Sequence, residues 1–139
     1  MFEAFCKDKL GPLALRAALG LICSYHGYVK IMMSGGTAWG PGLPTGWQAA
    51  IAWGEFAAGL AILVGFQCRL AAAVVLGITL GTLAWWQGWN LFHLPLTALE
   101  PILTVLLMGL ALLFLGAGEL SVDARLGGLG GAGRPARKK

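Results

Sequence analysis

The sequence has little charge of either sign. Asp, Glu, Lys and Arg together make up 12% of its 139 residues, and Asp and Glu number six. Soluble domains of similar length carry about 25% charged residues. Hydrophobic residues account for 58% of the chain and are gathered into long runs. The shortage of charge argues against an ordinary soluble domain and predicts an integral membrane protein.

The sequence also lacks the motifs of common cofactor and metal sites. It has no P-loop, no glycine-rich Rossmann turn between a strand and a helix, no CxxC, no HExxH and no GxSxG. Its three cysteines, Cys6, Cys23 and Cys68, show no metal-ligand spacing, and their odd number argues against a disulfide framework. A haem between His26 and His93 is disfavoured because the two are expected at different depths. We therefore predict no metal site and no cofactor of the chain's own.

Four apolar runs account for most of the chain. Each is close to the 20 or so residues that cross a bilayer core at 1.5 Å per residue. A Gly/Pro-rich loop at 34–46 separates the first two runs, a tight turn at 67–69 separates the next two, and a proline precedes the last. The sequence therefore predicts an all-α, integral membrane four-helix bundle with helices at residues 12–33, 47–66, 70–87 and 96–117.

The cationic residues indicate how this bundle is oriented. Lysines precede the first helix, Arg69 lies in the second turn, and five Lys or Arg residues follow the last helix. The first and third loops contain none, so the positive-inside rule predicts that both termini are cytoplasmic. The predicted bundle domain, residues 12–119, then lies between an N-terminal segment at 1–11 and a basic, Gly-rich tail at 120–139. The net charge of +4 indicates topology and contact with lipid headgroups here, not nucleic-acid binding.

Several ionisable residues are predicted to lie inside the bundle. Such residues cost roughly 2.5–3.5 kcal/mol each on insertion scales, so they usually face the interior and find partners. A rise of 1.5 Å per residue puts His26 level with Glu55, and Lys30 level with Glu100. We predict these two pairs in the outer half of the bundle. The predicted buried polar pocket consists of Arg16, His26, Lys30, Glu55 and Glu100.

Two interpretations of these pairs stay open. They fix the register of the helices, or they form a small polar pocket for protons, a quinone head group or a small substrate. His26 is the group there whose ordinary pKa lies nearest neutrality.

The rotation of the first helix places small and polar residues on one face. His26 lies at the edge of this stripe, and its glycines permit a neighbouring helix to approach. Arg16, at the other end, is expected to meet Glu119 or Asp123. In the third helix, Gly77 and Gly81 form a GxxxG match that predicts helix packing. At 100° per residue the stripe consists of Arg16, Gly20, Cys23, Gly27 and Lys30.

All six tryptophans are predicted at the outer ends of the second and third helices or in the loops beside them. They fit an interfacial aromatic belt, although a belt usually marks both interfaces. They also fit a platform for a flat ligand or a partner subunit. A histidine in the last outer loop is either solvated or a further ligand. The predicted contact residues are Trp39, Trp47, Trp53, Trp85, Trp86, Trp89 and His93.

The ordered set of these residues resembles the DoxX family of small four-helix membrane proteins. Arg16 begins an R-x-x-L-G match and His26 begins H-G-x-x-K. Glu55 begins a stretch similar to the family's E-x-x-x-G…R-x-A-A pattern. Glu100 resembles the acidic residue that opens the last helix, and residues 116–124 resemble its G-x-G-x-x-S-x-D-A ending. The resemblance covers roughly residues 12–126.

This resemblance implies a prokaryotic cytoplasmic (inner) membrane and the setting of quinol oxidases, thiosulfate:quinone oxidoreductases and membrane redox complexes. The leading hypothesis is an accessory subunit of a redox or electron-transfer complex, without activity alone. It packs against other membrane subunits and frames a pocket for a quinone, a lipid or a pigment. Two alternatives stay open: a standalone quinone-linked oxidoreductase module with His26 and Glu55 as a proton relay, and an oligomeric transporter of protons or small solutes.

Overall fold

The structure, a computed structural model, describes residues 9–87 and 95–126. Four long helices occupy most of these residues, and no strand occurs among them. The predicted all-α class is confirmed. The helices are α1 (Gly11–Met32), α2 (Thr45–Val64), α3 (Cys68–Gln87), α4 (Leu96–Leu115) and the short α5 (Val122–Leu126), with a 3₁₀ turn at Ser34–Gly36.

Two of the helices are long and apolar enough to cross a membrane. They are α2 and residues Cys68–Trp86 of α3, judged by length and composition alone. The apolar part of α4, Leu99–Leu115, is shorter. The expectation that α1 and α4 also cross the bilayer stays a prediction.

A glycine sets the end of α2. Gly65 closes the helix in the left-handed conformation, with φ of 75°, which costs a glycine little because it has no Cβ. The helix therefore ends at Val64, two residues before its predicted end at Phe66. The chain turns at 65–67, and α3 begins at Cys68, two residues earlier than predicted.

Helices α1 and α2 form the most extensive pair. A Cβ at Gly27 would lie 2.5 Å from the backbone nitrogen of Phe56, and a Cβ at Gly59 would lie 2.5 Å from that of Ser24. A side chain at either position would collide with backbone, so the glycines permit the two helices to touch. Gly20 likewise faces the Gly59 carbonyl, at 2.9 Å from its would-be Cβ. The predicted small-residue stripe of the first helix is confirmed.

The remaining contacts complete the bundle. Helix α3 packs against α4 and α2, while α1 touches α4 less extensively. Small residues are common in the shared core, which keeps the helices close. The core cluster consists of Leu19, Cys23, Ala58, Ile62, Cys68, Ala71, Ala72, Val75, Val105, Leu112 and Ala117.

The GxxxG match of α3 is not used for packing among the described residues. A Cβ at Gly77 or Gly81 would meet no atom within 4 Å. The predicted packing role of this motif within the chain is therefore wrong, and these glycines leave an open surface.

The two ends of the bundle differ in content. The end where α1 begins and α4 ends is called the inner end, after the predicted topology. It joins both ends of the described chain: Lys9 pairs with Glu119 at 3.4 Å, and Arg16 donates to the Leu120 carbonyl. The outer end, where α1 ends and α2 begins, holds the first loop. The chain beyond residue 120, assigned to the tail from sequence, starts by packing on the bundle, since Ser121 and Asp123 are buried.

Candidate functional site

A charged cluster lies at the outer end between α1 and α2. The carboxylate of Glu55 accepts a hydrogen bond from the ammonium of Lys30 and forms an ion pair with it. The other carboxylate oxygen lies 3.9 Å from Nδ1 of His26, which is too far for a hydrogen bond. The Glu55 side chain is 10% exposed and that of His26 is 46% exposed. One buried carboxylate therefore faces two basic side chains of α1.

This arrangement corrects one of the predicted pairs. The proximity of His26 and Glu55 is confirmed, but Lys30 pairs with Glu55 and not with Glu100. Glu100 is exposed and makes no ion pair within the described ranges. The i, i+4 spacing of His26 and Lys30 puts both on one side of α1, and that side faces α2. The estimated depth puts Lys30 level with Glu100, but depth alone does not show which neighbouring helix a side chain of α1 faces.

Trp39 of the first loop lies against the Lys30–Glu55 ion pair. The Lys30 ammonium lies 4.5 Å from the centre of the Trp39 ring, a cation–π contact worth about 0.5–2 kcal/mol. Buried Gln48 holds this loop in place. Its side-chain oxygen accepts the Trp39 and Gly40 backbone N–H groups at 3.1 and 2.9 Å, and its amide donates to the Leu43 carbonyl at 2.7 Å. The Trp39 indole donates to the Gln48 backbone carbonyl at 3.0 Å.

An apolar groove of about 530 Å³ runs between α2 and α3. Gly77 and Gly81 lie along it, where the absence of side chains leaves open space. The hydroxyl of Thr82 donates to the carbonyl of Ile78 at 2.9 Å and so is already used within α3. No charged residue lines the groove. Its other lining residues are Leu43, Pro44, Trp47, Ile51, Val74, Trp85 and Trp86.

Trp86 connects the groove to the charged cluster. Its indole N–H donates to the Pro41 carbonyl at 3.3 Å. Its ring meets that of Trp39 edge-on, with centroids 5.5 Å apart. Trp39 therefore contacts both Lys30 and Trp86, and Trp86 in turn forms part of the groove wall.

The predicted tryptophan set is divided by the structure. Three of its members line the groove and Trp39 lies beside it. Trp53 is 54% exposed, contacts Phe56 edge-on and does not line the groove. Two predicted contact residues lie outside the described residues: Trp89 and His93.

Arg16 lies at the inner end, away from the charged cluster. It is 1% exposed, and its guanidinium donates to the Leu120 carbonyl. The predicted ion pair with Glu119 or Asp123 is not formed, because Glu119 pairs with Lys9 and Asp123 bonds to backbone. The backbone carbonyl takes the place that the sequence analysis gave to a carboxylate.

Asp123 joins the inner ends of α2 and α3. Its carboxylate accepts the backbone N–H groups of Gln67 and Cys68 at 2.7 and 3.0 Å. It thereby caps the beginning of α3 from a distant part of the chain, where a negative charge also suits the helix dipole. The backbone N–H of Asp123 in turn donates to the Gly65 carbonyl at 3.0 Å.

The five predicted polar residues therefore do not form one pocket. Three of them share the outer cluster, Arg16 belongs to the inner end, and Glu100 is exposed. Within the described ranges, no group of three or more His, Cys, Asp and Glu side chains is arranged to hold a metal ion.

The match to a protein family covers the charged cluster and the groove. The DoxX family model matches residues 11–94, which is more than half of the chain. The chain belongs to the DoxX family. Members of this family are membrane-associated, which agrees with the two apolar helices. No curated protein and no solved structure matched the sequence.

The DoxX match includes four of the five polar residues singled out from sequence. Arg16, His26, Lys30 and Glu55 fall within it, whereas Glu100 and the 116–124 motif lie beyond its end. The matched part thus contains the whole charged cluster and the lining of the groove.

Sequence reasoning missed the role of Gln48 and the capping role of Asp123. Gln48 is an uncharged polar residue near the start of an apolar helix, and that exception could have marked it. From sequence, Asp123 is a candidate partner of Arg16 and a member of the 116–124 motif, and neither points to a helix cap. Its contact with the α2–α3 turn depends on how the end of α4 folds back, which no local pattern encodes.

Proposed function

We propose that this DoxX-family chain is an accessory membrane subunit of a prokaryotic redox or electron-transfer complex, and that its outer groove frames a quinone. The observation that supports the proposal best is the uncharged groove walled by Trp47, Trp85 and Trp86. Aromatic walls with few polar groups suit a flat, neutral ring. In this proposal, electrons pass between the quinone and the partner subunits, which supply the redox centres.

The charged cluster gives the groove a fixed edge. The Lys30–Glu55 pair ties α1 to α2, and Lys30 holds Trp39 through the cation–π contact. Trp39 in turn supports Trp86. The cluster is thus assigned a positioning role, which keeps the aromatic wall in place for the ligand and for a partner helix.

The experiment is purification from the native membrane in a gentle detergent, followed by mass spectrometry and a visible absorption spectrum. The proposal expects partners at fixed stoichiometry and absorption from haem, flavin or pigment. Trp85→Ala should weaken the association or deplete bound quinone, whereas Trp53→Ala, an exposed tryptophan outside the groove, should not. A colourless homo-oligomer without partners would contradict the proposal and favour a transporter.

A second candidate, a quinone-linked oxidoreductase module, is favoured by the position of His26. Its half-exposed imidazole lies 3.9 Å from the buried Glu55 carboxylate, a spacing that a small movement could close for proton transfer. The purified chain should then reduce a quinone with an added donor, and His26→Ala should abolish this activity. Tyr25→Phe is the matched control, since Tyr25 is an exposed neighbour of His26. Unchanged activity in His26→Ala would exclude the relay.

A further inference from the structure

We infer that the groove binds a single-chain, uncharged amphiphile of the prenylated quinone class, with its ring at the tryptophans and its tail along Gly77 and Gly81. The quinone class rests on the proposed function, whereas the position of the tail rests on the groove itself. The glycine motif of α3 is thereby assigned to ligand binding instead of helix packing.

The size of the groove matches a small amphiphilic ligand. Its lining on α3 runs from Val74 to Trp86, about 18 Å at 1.5 Å per residue. Its volume of about 530 Å³ lies within the range of about 300–1,000 Å³ that is typical of small-molecule sites. The groove is therefore long enough to hold a ring at one end and a hydrocarbon chain along α3.

The chemistry of the lining decides between a quinone and a phospholipid. No charged side chain lines the groove, and the Thr82 hydroxyl is bonded within its own helix. A phospholipid brings a charged phosphate, for which the lining offers no charged partner. A neutral ring with carbonyl acceptors and one tail matches the uncharged lining.

The outer end of the groove suits the ring. Trp47 and Trp85 are 66% and 57% exposed, and neither indole N–H has a hydrogen-bond partner in the described part of the chain. They offer two donors for carbonyl oxygens beside flat apolar faces. The Trp86 indole is committed to Pro41, so it contributes its ring alone.

Gly77 and Gly81 explain how the protein can bind the tail although lipid chains surround it. Moving a hydrocarbon tail from lipid into the protein gains little hydrophobic energy, so close packing must supply the selectivity. Gly77 and Gly81 expose helix backbone, against which a tail can lie closely. Gly77→Leu would fill this space without disturbing the bundle, because nothing lies within 4 Å of a Cβ at this position.

The test is tryptophan fluorescence quenching of the full chain in nanodiscs with two probes. One probe is a decyl-substituted benzoquinone and the other is the same ring without a tail. We expect saturable quenching by both, with Gly77→Leu raising the Kd of the decyl probe about tenfold, as overpacking costs of this kind predict. The Kd of the tail-less probe should change less than about twofold. Ala73→Leu, an exposed small residue of α3 outside the groove, is the control and should change neither value.

Other outcomes overturn either the inference or the proposed function. Equal effects of Gly77→Leu on the Kd of both probes would show that the tail does not bind along Gly77 and Gly81. If Gly77→Leu converts a dimer to a monomer, the groove is occupied by a second copy of the chain. If Gly77→Leu loses a co-purifying phospholipid and no quinone binds, the groove is occupied by a phospholipid. Tail-dependent binding by a chain that purifies without partners would contradict the subunit role alone, whereas partners without tail-dependent binding would contradict this inference alone.

Discussion

At the scale of single residues, the outer and inner ends of the bundle use charge in different ways. At the outer end, Glu55 pairs with an ammonium and lies near an imidazole. At the inner end, the charges of Arg16 and Asp123 are met mostly by backbone groups. Removing a buried charged partner is costly because the group left behind loses its solvation without compensation.

The first prediction concerns the pairing of Lys30. In a double-mutant cycle, Lys30→Met and Glu55→Gln should be coupled by about 1–2 kcal/mol, a value reduced from that of a fully buried pair because Lys30 is partly exposed. Lys30→Met and Glu100→Gln should show no coupling beyond about 0.3–0.5 kcal/mol. Reversible unfolding in mixed micelles measures both cycles. A larger coupling to Glu100 would contradict the structure.

The second prediction concerns the cap that Asp123 places on α3. Asp123→Ala should lower the free energy of unfolding by about 2–4 kcal/mol, because one buried and one partly buried N–H group lose their acceptor. Glu119→Ala is the matched control. Its ion pair with Lys9 is exposed, so the loss should stay below about 1 kcal/mol. Equal effects of the two substitutions would show that the cap contributes nothing specific.

At the scale of the elements, two sets of glycines look alike in sequence and differ in use. Those of α1 and α2 admit backbone contact, while those of α3 lie open. A third prediction follows. Gly27→Ala should destabilise the bundle by about 1–3 kcal/mol or more through the collision with Phe56. Gly77→Ala should be neutral or stabilising by about 0.5–1 kcal/mol, since alanine favours helix.

Thermal unfolding of the two variants side by side measures this difference. A loss at Gly77 as large as that at Gly27 would mean that the α3 surface is packed in the native membrane. The stripe of α1 could be predicted because helical periodicity is local. The open surface of α3 could not, because a GxxxG match does not indicate which helix, if any, lies against it.

The same limit explains the other differences at this scale. The four long helices follow from apolar runs and Gly/Pro breaks, and their ends shift by two residues where Gly65 takes a left-handed conformation. The partner of Lys30 depends on which helix lies beside α1, and the partner of Asp123 depends on how residues 116–123 fold back. Both partners are set by tertiary structure, which residue spacing along one helix does not predict.

At the scale of the whole molecule, the inner end brings the beginning and the end of the bundle together. The contacts of Lys9 with Glu119 and of Arg16 with Leu120 join them. A fourth prediction is that both termini lie on the same side of the membrane, which the cationic flanks place in the cytoplasm. A fluorescent protein fused to either terminus should therefore fold and fluoresce, whereas alkaline phosphatase fused there should be inactive. An active phosphatase at one terminus alone would exclude an even number of crossings.

The cap at Asp123 also bears on the order in which the molecule is made. The acceptor for the first N–H groups of α3 lies 55 and 56 residues further along the chain. While the ribosome is still producing α3 and α4, the α2–α3 turn has no such acceptor from the protein. Its last hydrogen bonds form when α5 arrives. The synthesis of α5 therefore completes a turn made more than 50 residues earlier, and a protein cut short before residue 123 would leave that turn open to quality-control proteases.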